Sequence, residues 1–235
     1  RLGNVSLMVY LMFNEGWSTS GGETQIRLTL CEEAIRLSRL LVSLFPGMGE
    51  QVSLLSLLLF QHARRDARTD ARGHLVPLEN QDRATWDRSN IAEAQALLQK
   101  AQRTNHRGAY IIQAAIAAEH ARASSSAKTR WPVIEAHYAA LYALQPTPVV
   151  RLNQIAAQAK TRGAHYALRA MQSLEGDLAQ YRWFHAMRGG LLQDVGNHGD
   201  AVDAFETALM LNPTGPERVS ILEKIDRSKK ELANL

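Results

Sequence analysis

Apolar side chains recur at alternating steps of three and four residues along most of the chain, which is the spacing of one face of an α-helix. The segment 23–45 shows this pattern most clearly, and Pro46 and Gly47 end it. Its predicted buried face consists of Leu30, Ala34, Leu37, Leu41 and Leu44. The next segment, 50–63, is apolar on nearly all sides, so we predict a helix that neighbours bury on both flanks.

Glycines and capping residues predict where the other helices begin and end. We expect a first helix from Leu2 to about Phe13, ended by the glycines that follow it, and a second one introduced by Ser20 or a neighbour. Asn90 is followed three residues later by Glu93, which predicts the N-terminal cap of a further helix.

The second half of the chain repeats this helical pattern. Thr147 followed by Pro148 predicts a helix start, because the hydroxyl can accept an orphan amide and proline at the first position forfeits no bond. The alternation of apolar and polar residues that would indicate a β-strand is missing, except over the short stretch 75–78. The predicted fold class is therefore all-α.

An internal repeat is visible near the C-terminal end. The small, aromatic and proline positions of a tetratricopeptide unit are occupied, in order, by Gly189, Ala201, Phe205, Ala208 and Pro213. A degenerate copy lies 34 residues earlier and consists of Ala167, Met171 and Leu174. We predict stacked helical hairpins in a right-handed tetratricopeptide-like solenoid, in which 1–107 forms the N-terminal helices and 108–235 the hairpins of one continuous domain. A compact irregular bundle is the alternative.

A long polar connection, 61–88, interrupts the helices and has no period of its own. Such a connection is either functional or disordered. Apolar residues at 75–78 and the indole of Trp86 anchor it, so we predict an ordered polar loop over 64–88. The charged side chains that it presents are Arg64, Arg65, Arg68, Asp82, Arg83 and Asp87.

The loop supplies the candidate site. Arginine side chains suit planar, bidentate binding of carboxylates and phosphates. We predict one polar surface or pocket that contacts a partner or a signal ligand, formed by Asn14, Glu15, Arg64, Arg65, Arg68, Asp82, Arg83 and Trp86. In the alternative, these charges pair with one another and only hold the shape of the loop.

Composition and charge exclude several classes of protein. The 235 residues carry a net charge of only +4 without a block of consecutive basic residues, so we expect no direct binding to nucleic acid. The most apolar run, 52–60, is far shorter than the roughly 20 residues needed to span a membrane. The single cysteine, Cys31, fits a reduced cytoplasm. Because residue 1 is Arg, we expect the sequence to be a piece of a longer polypeptide.

Catalytic and metal-binding chemistry is not indicated. His62 and Asp66 stand four residues apart and would share a helix face, but a third metal ligand is not evident. The sequence contains no arrangement that resembles a nucleophile with its base, a phosphate-binding loop or a dinucleotide fingerprint. We predict a protein without enzymatic activity, cofactor or metal.

Five blocks of sequence, taken in order, resemble one known family. They are YLMFNEGWSTSGGE, LCEEAIRLSRLL, HARRDARTDARGHLVPLENQDRATWDR, AYIIQAAIAAEHA and PVVRLNQIAA. Together they are similar to the C-terminal, tetratricopeptide-like extension of a group of extracytoplasmic-function sigma factors, and the resemblance covers essentially the whole chain. The chain departs from the family pattern at Asn80, where the family usually has Asp, and at 152–155, where the family has a more regular LNRA run.

The resemblance implies a regulatory or interaction part of a sigma-70 family factor in bacterial transcription initiation. In that family the promoter-reading regions precede the extension, so the implied partners are the polypeptide's own sigma regions, core RNA polymerase, or both, with a peptide or small-molecule signal as a further partner. No catalytic residue is implied for this extension. A small-ligand sensor that uses the Arg/Asp loop as its pocket is the alternative function.

Overall fold

A computed structural model describes residues 2–17 and 24–234 of the chain. Its helices are α1 (Leu2–Trp17), α2 (Thr24–Leu44), α3 (Gly49–His62), α4 (Arg88–Gln102), α5 (Ala109–Arg122), α6 (Trp131–Leu144), α7 (Pro148–Arg162), α8 (Ala164–Met171), α9 (Arg182–Asp194), α10 (His198–Met210) and α11 (Gly215–Ala233). No β-strand forms among the described residues, which confirms the predicted all-α class. None of the described helices combines the length and the apolar character that crossing a membrane requires.

Side-chain caps begin several of these helices. The hydroxyl of Thr147 accepts the amide of Val150 at 3.2 Å, as Thr147 and Pro148 predicted. Helix α4 begins at Arg88, before the predicted cap at Asn90, because the carboxylate of Asp87 accepts the Asn90 amide at 3.0 Å. The cap is therefore Asp87, and Asn90 lies within the first turn.

The end of α1 also differs from the prediction. The helix continues past Phe13 and through Gly16 to Trp17. The guanidinium of Arg68 donates a hydrogen bond of 2.6 Å to the Trp17 carbonyl, which satisfies one of the carbonyl groups that a helix end leaves unpaired. The helix start that was predicted at Ser20 lies outside the described residues.

The chain divides into two compact units. Unit 1 comprises Arg1–Asp70 and Val76–Arg130, and unit 2 comprises Ala71–Leu75 and Trp131–Leu235. The division comes after Arg130, later in the chain than the boundary at residue 107 that we predicted. The reason is that α5 packs on α3 and α4, so it completes the core of unit 1.

Unit 1 is organised around α3, which packs against α1, α2, α4 and α5. Leu54 and Leu58 are completely buried, as the apolar pattern on all sides of this helix predicted. Buried polar side chains of α3 also form hydrogen bonds within the core. Ser56 donates a hydrogen bond of 2.8 Å to the Ala94 carbonyl, which fixes α3 against α4.

Unit 2 is a succession of helices in which each of α6 to α10 packs on the next, as far as α11. The helical hairpins predicted here are confirmed. In the hairpin of α9 and α10, the fully buried ring of Phe205 lies against Gly189, as the repeat pattern requires. Ala167 and Met171 are buried at the equivalent positions of α8, and Met171 occupies the place of the aromatic ring.

Candidate functional site

The polar loop is ordered, and its two ends lie together. The amide of Asp87 donates to the carbonyl of Ala63 at 2.8 Å, so the two ends of the connection meet. Short 3-10 helices follow at Arg65–Ala67, Leu78–Asn80 and Arg83–Thr85. Trp86, with 3% of its surface exposed, is buried in the core of unit 1 as the anchor that we predicted.

Arg68 joins the loop to the end of α1. Besides its hydrogen bond to the Trp17 carbonyl, its guanidinium carbon lies 4.0 Å from the centre of the Trp17 ring. Trp17 in turn stacks on Phe13 at 5.6 Å between ring centres. Burial lowers the pKa of Arg68 to about 10, which still leaves it charged at neutral pH. Arg68 therefore serves as a brace between the loop and α1.

Arg83 is buried, and both terminal nitrogens of its guanidinium bind groups of its own chain. Its guanidinium donates to the carbonyls of His120 and Ala123 at 2.6 and 3.0 Å, and to the hydroxyl of Thr129 at 3.2 Å. It also lies 5.3 Å from the centre of the Trp86 ring. This arginine ties the loop to the end of α5 and to the segment that follows it. These contacts hold the shape of the loop, although the partners of Arg83 are carbonyl and hydroxyl groups and not the other loop charges.

The remaining loop charges cap helices or pair locally. Asp82 accepts the amide of Ala84 at 2.9 Å and starts a 3-10 helix. Arg65 donates to Asp87 at 3.2 Å. The hydrogen bond from the Asn90 amide, helped by Arg65, lowers the pKa of Asp87.

Arg64 stays on its own turn and borders the end of α1. Its guanidinium donates to the side-chain oxygen of Gln61 at 2.5 Å. The guanidinium carbon lies 5.4 Å from the centre of the Trp17 ring. Arg64 and Arg68 therefore meet at the same indole.

Asn14 and Glu15 do not join this network. Both are exposed on α1. Among the described residues, no ion pair links Glu15 to an arginine of the loop, so no salt bridge joins this carboxylate to the loop charges. Six of the eight predicted site residues belong to the loop. Asn14 and Glu15 instead face solvent near the end of α1, where Arg68 binds Trp17.

Two histidines lie beneath the loop. Burial, together with the nearby charges of Arg83 and Arg64, lowers the pKa of His120 to about 4. Burial and then Arg65 lower the pKa of His62 as well. Both imidazoles are therefore neutral at pH 7. In the described ranges no group of three His, Cys, Asp or Glu side chains is arranged to hold a metal ion, and His62 and Asp66 do not gain a third ligand.

An exposed apolar face of α1 is the feature that sequence reasoning missed. The helix buries Ser6, Val9 and Phe13. On its other faces, large aliphatic side chains between 41% and 68% exposed are Val5, Leu7, Met8 and Leu11. The available signal was the absence of any charged residue from Leu2 to Asn14, which is unusual on a helix that faces water.

Comparison with known proteins identifies a similar family model and a similar protein. Residues 1–102 match the model of a family described as a family of unknown function (DUF6596). The whole chain is similar to an uncharacterized protein of Rhizobium meliloti (strain 1021), with 45% identity over 235 residues. Those residues are 100% of this chain but 56% of that protein, so the chain spans little more than half of the relative's length.

Proposed function

We propose that this chain is the regulatory and interaction part of an extracytoplasmic-function sigma factor, and that the exposed face of α1 docks the promoter-binding sigma regions of the same polypeptide. The proposal places the protein in the bacterial cytoplasm and gives the chain no catalytic step. Its support from sequence is the ordered series of blocks described above. The Rhizobium relative is longer, since this chain covers only 56% of it, and that length is consistent with such an arrangement.

The observation that carries the proposal is the composition of the α1 face. Four large aliphatic side chains are exposed there, on a stretch of helix without charge. Contiguous apolar surface of this kind marks interaction sites, because it costs free energy while it faces water. Core polymerase is a further partner in this proposal, and DNA is not expected to bind this part directly.

The loop gives the docking face its rigidity. Arg68 holds the carbonyl and ring of Trp17, and Arg83 fixes the loop to the end of α5. A docking helix that is fixed before binding loses less conformational freedom on association. In this proposal the arginines position α1, while Asn14 and Glu15 form a polar rim beside its apolar face.

Association of separately produced parts tests the proposal. This chain and the sigma regions of the full polypeptide are purified apart and titrated by calorimetry. We expect binding that Met8→Lys weakens by about tenfold or more. Met210→Lys is the matched control, because Met210 on α10 is 74% exposed and Met8 is 68% exposed. It should leave both the affinity and the folding unchanged.

Two results would contradict the proposal. One is an absence of binding, or an affinity that Met8→Lys does not alter. The other is a molar mass of the isolated chain about twice that of the monomer, reduced to the monomer value by Met8→Lys, since the face would then pair two copies. A parallel transcription assay with the full polypeptide should show altered output for Met8→Lys and unaltered output for Met210→Lys.

A further inference from the structure

We propose that a groove in unit 2, between α8 and α9, binds a small amphipathic carboxylate. The groove has a volume of about 250 Å³. Its walls are formed by His165, Leu168, Arg169, Met171, Gln172, Glu175, Arg188 and Leu192. This inference does not depend on the proposed role of α1, which belongs to the other unit.

Helical spacing brings the lining residues together. His165, Arg169 and Gln172 follow at steps of four and three residues, so they share one face of α8 and of the turn that continues it. Arg188 and Leu192 stand four residues apart on α9 and face them across the groove. The lining side chains on both sides of the groove are therefore held in place by two packed helices.

The floor of the groove is apolar. Met171 and Leu192 are 2% and 7% exposed, and the half-buried Leu168 lies between the two core clusters of unit 2. Such a floor accepts a short hydrocarbon or ring and gains free energy from its burial. A fully polar anion such as inorganic phosphate would leave this surface unused.

The rim of the groove is positively charged. Among the residues that the structure describes, the guanidinium of Arg169 has neither a hydrogen-bond nor an ion-pair partner. In the described part of the chain, Arg188 forms only a long contact of 3.7 Å with Glu175, and both side chains are about half exposed. An exposed ion pair of that kind contributes little to stability, so an incoming carboxylate can compete with Glu175 for Arg188.

The volume limits the size of the ligand. Sites for drug-sized molecules usually occupy about 300–1,000 Å³, so this groove suits a smaller molecule. One carboxylate between Arg169 and Arg188, with a short apolar body over Leu168 and Met171, satisfies both parts of the lining. Hexanoate has this chemistry and serves as the probe.

Titration of the whole chain, observed through its backbone amide resonances, tests the assignment. Hexanoate should cause saturable shifts confined to 165–175 and 188–192, with a Kd on the order of 1 mM. Hexanamide lacks the charge and acetate lacks the tail, so each should bind about tenfold more weakly or worse.

Substitutions identify the groups that bind. Arg169→Gln should weaken hexanoate about tenfold. Glu175→Gln should tighten it, because the competing carboxylate is gone. Arg218→Gln on α11 is the matched control, since Arg218 is also exposed but does not line the groove. Equal binding of hexanoate and hexanamide, unchanged binding by Arg169→Gln, or no saturable shift would each overturn the proposal.

Discussion

A methyl group added to Gly189 would lie 2.6 Å from Cε1 of the Phe205 ring. Carbon atoms in favourable contact are about 3.5–4.0 Å apart, so position 189 has room for a hydrogen atom only. Phe205 is completely buried between α9, α10 and α11. The glycine on one helix and the ring on the next are therefore two parts of one packing arrangement, which holds the α9–α10 hairpin together.

Substitution of this glycine tests the arrangement directly. Gly189→Ala should lower the free energy of unfolding by about 1–3 kcal/mol, because the ring or the helices must move. Urea denaturation of the whole chain measures the change.

The neighbouring glycine provides the matched control. Gly190 lies on the same helix, and an added methyl group there would meet no atom within 4 Å. Gly190→Ala should therefore raise stability by about 0.5–1 kcal/mol, the usual gain of alanine over glycine inside a helix. Equal effects of the two substitutions would show that Gly189 is not in contact with Phe205.

The aromatic partner can also be removed. Phe205→Ala should lower the free energy of unfolding by about 3–5 kcal/mol, since it empties a completely buried site. Met210→Ala, at an exposed position of the same helix, should change stability by less than about 0.5 kcal/mol. A thermal midpoint that Phe205→Ala leaves unchanged would remove the assignment of the repeat.

Most of the helices could be predicted because the relevant information is local. A helix that buries one side repeats apolar residues every three or four positions, and a turn of proline or glycine ends it. The spacing of Gly189 and Phe205 likewise predicted a hairpin before any contact was known. Helix ends were predicted less well. Helix α1 continues through Gly16 to Trp17, whose carbonyl accepts a hydrogen bond from Arg68, about fifty positions later in the chain. No local sequence pattern predicts that contact.

The site was predicted only in part, for the same reason. The loop, its order and its anchor Trp86 followed from composition. The individual arginines looked alike, yet Arg83 is buried against α5 and Arg68 covers Trp17. Burial of a charge depends on which acceptors the rest of the chain brings to it, and spacing does not encode those acceptors. The exposed face of α1 was missed because an apolar helix is usually a packed one.

Arg83 is predicted to be essential for stability. Arg83→Met keeps a long side chain but leaves the His120 and Ala123 carbonyls without their donor, which should cost about 3 kcal/mol. Arg36→Met is the control, because Arg36 is exposed and, within the described ranges, pairs only with Glu33 one helical turn earlier. That change should stay within about 0.5 kcal/mol. Equal stability of the two variants, measured by urea denaturation, would contradict the structural role of Arg83.

Arg68 is predicted to control the mobility of the end of α1. Arg68→Ala removes the donor to the Trp17 carbonyl and the cation above its ring. The last turn of α1 should then open more often, and its amides should exchange with solvent about tenfold faster. Hydrogen exchange of residues 12–17 measures this, with Arg36→Ala as the control. An unchanged rate in Arg68→Ala would show that the arginine does not brace the helix.

His120 is predicted to make the protein sensitive to acid. Its pKa is about 4 in the folded chain and about 6.5 when exposed, so below pH 6.5 the unfolded chain binds a proton that the folded chain does not. The free energy of unfolding is therefore unaffected by His120 above pH 6.5, and it decreases by up to about 3 kcal/mol as the pH falls towards 4. His62 acts in the same direction.

Urea denaturation between pH 7.5 and about 4.5 measures this loss. His120→Gln should flatten the pH profile over the upper part of that range, whereas the titration of carboxylates at lower pH would remain. Because Arg83 contributes to the lowered pKa, Arg83→Met should move the NMR titration of His120 towards its ordinary value. An imidazole that titrates near pH 6.5 in the unaltered chain would contradict its burial beside Arg83.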